Sequence, residues 1–429
     1  MQIAIMPIAL ILFGVLAFQK WSALILGPLL SLLVALVAGL PLFETMLGPY
    51  MQTAAAYVKN YFLIFLVGAV FGQIMQETGA AESISRALAG ITKGKYAAPI
   101  VMIITGILTY GGISGFVVFF AMYPIALQLF KTANLPRRLI PAAISAGCWT
   151  WSMNSPGTPA IQNIIPMREL GTSSIADPIG GAIAGLIQLV LIFIYLEWQG
   201  RRYVAQGITF EDDKETLNLM NRKDIPLPNP WLSILPCILI LFLFNVIRVN
   251  VESAVLAGIV MAIILLRPFG GNYGSWIALL NRGALNSAPA ILNTAIVVGF
   301  AGVIRETSGF NQLIEMLKSL QMSPLLFVGI TTAIAAGAAG SASGGLGVAF
   351  AALKDTYINM GVNLEWAHRI AVIGAGTLDS LPHQGAQITL LAITKQTHKE
   401  AYWPIAVTQL IIPFIAMFIL IALHSIGLP

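Results

Sequence analysis

The sequence predicts an all-α polytopic membrane protein with inverted structural repeats, two re-entrant hairpins and two broken transmembrane helices. Three observations predict it. First, the 429 residues are 57% hydrophobic and only 10% charged, with a mean hydropathy of +0.84. A soluble domain carries about 25% charged residues, so this chain has too little polar surface to cover a water-exposed globule. Second, polar, glycine-rich and proline-rich interruptions cut the apolar sequence at matching places in its two halves. Third, the landmarks around those interruptions recur in the same order.

Taken in order, the chain opens Met1-Gln2-Ile3 without a basic n-region, and Lys20-Trp21 follows the first apolar run. That is the reverse of a signal peptide's charge order. Residues 3–18 are therefore expected to be a retained first transmembrane helix. A spanning helix needs about 20 apolar residues, and further candidates are 22–40, 61–76, 178–197, 231–247, 252–266, 289–304 and 402–424. Two apolar zones, 97–170 and 324–394, are cut by Gly, Pro and Ser clusters and do not divide into full spans. The longest polar segment carries charges of both signs and ends in Pro226-Leu227-Pro228-Asn229-Pro230, as a solvated linker would. The expected organisation is a first repeat at 1–197, a cytoplasmic linker at 198–230 and a second repeat at 231–429.

The repeat is carried by four matches. Gly72-Gln73-Ile74-Met75-Gln76-Glu77-Thr78-Gly79 resembles Gly302-Val303-Ile304-Arg305-Glu306-Thr307-Ser308-Gly309. The break Gly111-Gly112-Ile113-Ser114-Gly115 matches Gly340-Ser341-Ala342-Ser343-Gly344-Gly345. Arg138 leads to a break at Pro156 as Arg369 leads to one at Pro382, and Asp177-Pro178-Ile179 matches Trp403-Pro404-Ile405. An odd number of crossings per half would set the halves in opposite orientations. With the termini outside, sixteen of the 23 Lys and Arg fall on one side and seven on the other. The richer side is then cytoplasmic, which predicts a multi-pass cell (inner or plasma) membrane protein with both termini outside.

Several function classes find no support. The net charge of +5 follows from basic residues retained on the cytoplasmic face, and no basic cluster interleaved with aromatics suggests nucleic acid. Cys148 and Cys237 lie in apolar segments with no metal-type spacing. No cofactor is expected. An intramembrane aspartyl enzyme needs two acids in one site, and a metalloenzyme needs clustered ligands. The sequence places only Asp379 and, of the four histidines, only His383 at depth, so no enzymatic activity is expected.

Inverted repeats with broken helices are the signature of secondary transporters, whose half-helix N-termini point positive dipole ends at anions near the midplane. Hydroxyls at Ser114, Ser155, Thr158, Ser341, Ser343 and Ser380 can add donors, while Gly112, Gly115, Gly157, Gly344 and Gly385 allow close backbone approach. No Lys or Arg occurs within the breaks, so a carboxylate would be held by neutral donors. The glycines at 337, 340, 344 and 347 also have small-xxx-small spacing, which helix packing alone would explain. Asp379 would exchange a proton if buried without a partner, or serve as a helix-capping carboxylate. His383 could carry a proton or donate to substrate, or be a structural histidine. Asn154, Gln162 and Asn163 flank the first break, and Gln384 and Gln387 the second. Their amides could bond a ligand or the freed backbone groups.

At these residues the sequence resembles the gluconate permease (GntP) family of organic-anion:proton symporters, within the wider ion-transporter superfamily. The resemblance is carried by Gly340-Ser341-Ala342-Ser343, by Leu378-Asp379-Ser380-Leu381-Pro382-His383-Gln384-Gly385-Ala386, and by 156–166 with Gly171-Thr172. The family's usual threonine after Gly-Ser-Ala is Ser343 here. The resemblance implies a homodimer that takes up sugar acids or hydroxy monocarboxylates with protons, along a pathway lined by 112–115, 154–158, 341–345 and 379–385. Proton coupling is then expected at Asp379 and His383. Sodium coupling is the alternative within the class, through unwound carbonyls at the hairpin tips, and a passive channel is a third reading.

Overall fold

The computed structural model describes residues 8–9, 11–12, 15–16, 19, 21–91, 96–113, 115–211, 226–309, 312, 322–382 and 384–427. Helices and no strand are present among them. Ser114 and His383, both predicted site residues, lie outside the described set.

The first half begins with helical residues within the 3–18 stretch, then α1 (Ala23–Ala38) and the long α2 (Leu42–Glu77). Ser22 caps α1, and Gly39 ends it in the left-handed conformation that a side chain resists. A π-segment kinks α2 where Gly48 leaves helical geometry beside Pro49. The amphipathic α3 (Ala80–Ile91) leads to a hairpin of α4 (Ala97–Tyr110) and α5 (Gly115–Thr132). An interrupted crossing helix follows as α6 (Ile140–Trp149), the single turn α7 (Trp151–Asn154) and α8 (Ile161–Leu170). The half closes with α9 (Pro178–Ala205), so the first residues of the stretch read as linker are helical.

The second half repeats this plan. It consists of α10 (Pro230–Asn245), α11 (Val251–Leu265), the long α12 (Tyr273–Arg305), the hairpin α13 (Pro324–Ala339) and α14 (Ala342–Asn359), the interrupted pair α15 (Leu364–Leu378) and α16 (Gly385–Thr394), and the closing α17 (His398–Ser425). Asparagines at 229, 250, 272 and 363 cap the helices they precede. The hairpins 97–132 and 324–359 are equal in length, and so are the crossing stretches 140–170 and 364–394. The closing helices are each 28 residues long.

Among the described residues, α2, α9, α12 and α17 are long and apolar enough to cross a membrane. Large apolar side chains point outward, such as Leu36 at 63% and Ile264 at 67% exposure. Such outward apolar surface suits lipid rather than water. Inside, α2 and α12 lie against each other. Their contact is close because α12 presents Gly283 to Val70, Gly299 to Tyr50 and Gly302 to Pro49, where a Cβ would collide with backbone. Tyr50 donates to the Ile296 carbonyl and Asn286 to Gln73 across the same seam.

Candidate functional site

The second break starts where α15 loses helical geometry at Gly376 and ends at Leu378. Asp379 follows, 2% exposed. A carboxylate so far from water needs compensating donors, and it has them. The Ser380 hydroxyl donates to Oδ1 at 3.0 Å and Gln384 Nε2 donates to Oδ2 at 3.0 Å. The backbone N–H of Ser380 goes to the Thr377 carbonyl at 3.2 Å. The break lies against the second hairpin, where Gly337 of α13 meets Leu378. At the tip of that hairpin Gly340 is left-handed, and the Ser341 hydroxyl caps Gly344 N and contacts Ser343.

Behind Asp379 runs a chain of buried amides. Gln387 donates to Gln409 Oε1, which also lies 3.3 Å from the Ser380 hydroxyl, and Gln409 Nε2 donates to Ser145. Ser145 gives its own proton to the Pro141 carbonyl, which fixes the amide orientations along the chain. Gln384 Oε1 and Gln387 Oε1 are left as buried acceptors without a partner. Gly385 opens α16 immediately beyond.

The first break is differently used. Ser155 donates to the Trp151 carbonyl, Tyr110 reaches the Pro156 carbonyl, and Asn245 donates to the Gly157 carbonyl. Gly157 adopts a φ of 83°, and its N–H bonds to Ser174. Thr158 is fully buried, its carbonyl taken by Asn163. Asn154 donates to Gln188 on α9, leaving Asn154 Oδ1 and Gln188 Nε2 without partners. Each break is therefore held by a glutamine from the closing helix of its own half, Gln188 for the first and Gln409 for the second.

Asp379 is not the only buried ionisable group among the described residues. Arg369, His368, Asp177 and His424 are buried too. Arg369 is fully buried on α15 and donates to the carbonyls of Asn154 and Ala176, at 2.7 and 2.8 Å. Its cation thus sits at the C-terminal end of α7, where the helix dipole is negative. Gly181 makes room for it, since a Cβ there would lie 2.8 Å from Arg369 Nε. His368 donates from Nε2 to Asn163 Oδ1 at 2.8 Å and accepts from Thr172 at 2.6 Å. Asp177 caps α9 from a left-handed φ of 48° and pairs with His424 at 3.0 Å. Trp366 stacks on His424 with the rings 4.2 Å apart. Sequence reasoning used Arg369 and Asp177 only as landmarks. The available signal was an adjacent His-Arg pair leading into an otherwise apolar helix.

The interruptions come together. Gly112 lies beside Pro159, Gly115 beside Trp149, and Gly337 beside Leu378. Gly376 meets Met153 and Asn154, which brings the two crossing helices into contact at their breaks. Glu77, Arg168, Glu169, Arg305 and Glu306 sit at helix ends, with ion pairs Arg168–Glu252, Lys354–Glu169 and Arg282–Glu77. No group of three or more metal-ligating side chains occurs among the described residues.

No family model matches the sequence. It is similar to the uncharacterized transporter YxjC of Bacillus subtilis, with 31% identity over 474 aligned positions and 99% of each chain covered. An uncharacterized transporter of Haemophilus influenzae is 24% identical over 326 positions, 74% of each chain. Among solved structures, the YdaH transporter of Alcanivorax borkumensis, described as having an unusual topology, shares the fold. It superposes with a TM-score of 0.64, covers 88% of this chain and 89% of its own, and is 14% identical in sequence.

Proposed function

We propose that this chain, which belongs to the transporter family that includes Bacillus subtilis YxjC, takes up a small organic anion together with protons by alternating access. The observation that carries the reading is Asp379, a buried carboxylate at a helix break that lies against a re-entrant hairpin. A titratable group between two elements that can move apart is what coupling requires. Sugar acids and hydroxy monocarboxylates are the substrate class, supported by the gluconate-permease resemblance and by the neutral donors at the breaks. Ser341 and Ser343 offer hydroxyls at the tip of the second hairpin.

The same reading has both termini outside, a cytoplasmic segment at 198–230 between two inverted repeats, and a homodimer in the cell membrane. A reporter fused at the C-terminus and found in the cytoplasm would overturn the orientation. The decisive experiment uses proteoliposomes, labelled gluconate or 3-hydroxybutyrate, and an imposed pH gradient. Acid outside should drive accumulation, and an uncoupler should abolish it. Asp379→Asn should lose the accumulation yet keep exchange of labelled for unlabelled substrate. Accumulation that needs sodium and ignores the pH gradient would replace the proton with Na⁺.

A further inference from the structure

We infer that the dipeptide Arg168-Glu169, at the end of α8, is a releasable clasp that keeps one end of the solute pathway shut. The inference rests on the alternating access proposed above and deepens it, by naming the contacts that part when that end opens.

The clasp is built from opposite charges on neighbouring residues. Both stand in the last turn of α8, which Gly171 ends in the left-handed conformation. From there the two side chains reach three other elements. Arg168 donates to the Asn60 carbonyl on α2 and pairs with Glu252 in the first turn of α11. Its guanidinium also lies 5.4 Å from the centre of the Tyr61 ring. Glu169 accepts from the Tyr61 hydroxyl at 3.0 Å with one oxygen and from Lys354 of α14 at 3.2 Å with the other. Arg305, closing α12, donates to the Ala351 carbonyl one turn before Lys354. So α8, which leaves the first break, and α14, which leaves the tip of the second hairpin, are tied together and to α2, α11 and α12.

Exposure distinguishes a clasp from a permanent staple. The side chains of Arg168 and Glu252 keep 28% and 19% of their surface exposed, and those of Lys354 and Glu169 keep 37% and 25%. Charges already in touch with water are readily hydrated when they part, and ion pairs of this kind are weak one by one. Arg369 is fully buried instead, so parting its contacts strands a charge. Contacts that close an end and still let go belong at such a rim.

Comparison of the two halves shows that the clasp is one-sided. The crossing stretches 140–170 and 364–394 are equal in length, and counted from their starts Arg168 and Glu169 correspond to Ala392 and Ile393. Those two residues carry no charge, so the equivalent place in the second half has no such clasp. His368, near the start of α15, bonds Thr172 just beyond α8. The clasp therefore lies at the same end as the buried Arg369 group.

The test measures opening without the substrate. In the full chain with Cys148→Ala and Cys237→Ala, Ser343→Cys places a thiol at the hairpin tip, where Ser343 is 8% exposed. Vesicles of either orientation are treated with an impermeant thiol reagent. Glu169→Gln should raise the rate about fivefold from the side on which α8 ends, as loss of a charge-assisted contact would. Glu169→Lys combined with Lys354→Glu should return the rate to within about twofold of the parent, because the exchanged charges pair again. Should Glu169→Gln fail to fold, salt reads the same contacts in the Ser343→Cys protein itself. Raising the ionic strength to about 1 M screens the partly exposed pairs and should speed reaction with an uncharged reagent. A rate that neither Glu169→Gln nor salt changes, or a rise that the exchanged pair does not reverse, overturns the clasp whatever the protein carries. A rise from the α8 side with no fall from the opposite side keeps the clasp and refutes alternating access instead.

Discussion

Arg369 shows how a single side chain can join the halves. Its guanidinium is fully buried, bonded to two carbonyls of the first half, and near enough to Asp177 to feel its charge. Removing one partner from a buried ionic set leaves the other uncompensated, which costs about 3–5 kcal/mol. Arg369→Met is therefore expected to lower the unfolding temperature of the purified protein sharply. Asp177→Asn added to it should restore part of the loss, because the stranded carboxylate is gone and an amide can still accept from His424. If the double variant is no more stable than the single one, the two residues are not energetically linked. The two carbonyls would then be the whole of Arg369's role.

At the scale of elements, the hairpins depend on glycine for two separate reasons. Gly340 turns the chain with φ 58°, while Gly345 meets the backbone of Ala336 on the facing helix so closely that a Cβ would overlap it. Gly345→Ala should cost about 1–3 kcal/mol by forcing the hairpin apart. Gly68→Ala, on α2 with nothing near a new Cβ, should instead stabilise by about 0.5–1 kcal/mol through helix propensity. Thermal unfolding of the two variants side by side would check the opposite signs. The hairpins were legible in the sequence because glycine, serine and proline leave a visible gap in an apolar run, and the gap occurs twice. The third helices were legible only in part: 61–76 and 289–304 were expected, whereas α2 reaches back to Leu42 and α12 to Tyr273. Polar residues such as Gln52, Asn60 and Arg282 interrupt the apolar signal there, although the helical ladder continues through them. The partners of Asp379 itself, Ser380 and Gln384, stood within the stretch the sequence singled out, but the amide chain behind them was not legible. Gln409 is remote in sequence, and which amide meets which depends on how the helices pack.

For the whole molecule, the equal lengths of the two crossing stretches allow the seams between halves to be compared position by position. Counted from the starts of α6 and α15, Ser145 and Arg369 occupy equivalent places, as do Asn163 and Gln387. Each pair joins the same two kinds of segment, but the chemistry differs. Ser145 meets Gln409, which is bonded to Gln387, so that seam is made of neutral amides and hydroxyls. Arg369 meets Asn163 and Asn154, backed by Asp177, His424 and His368, so the other seam is ionic. Under the proposed alternating access, two related seams of equal strength would open in turn with equal ease. With one ionic, breaking it exposes a buried cation, and that end should stay shut more firmly. Arg369→Met should therefore raise the reaction of Thr158→Cys, a position now fully buried, with an impermeant thiol reagent applied from the side on which α15 begins. Ser145→Ala should leave that reaction within about twofold of the parent, since a lost neutral hydrogen bond is worth only about 1 kcal/mol and belongs to the opposite seam. Equal exposure in the two variants would mean that the ionic seam holds the fold together without biasing which end opens.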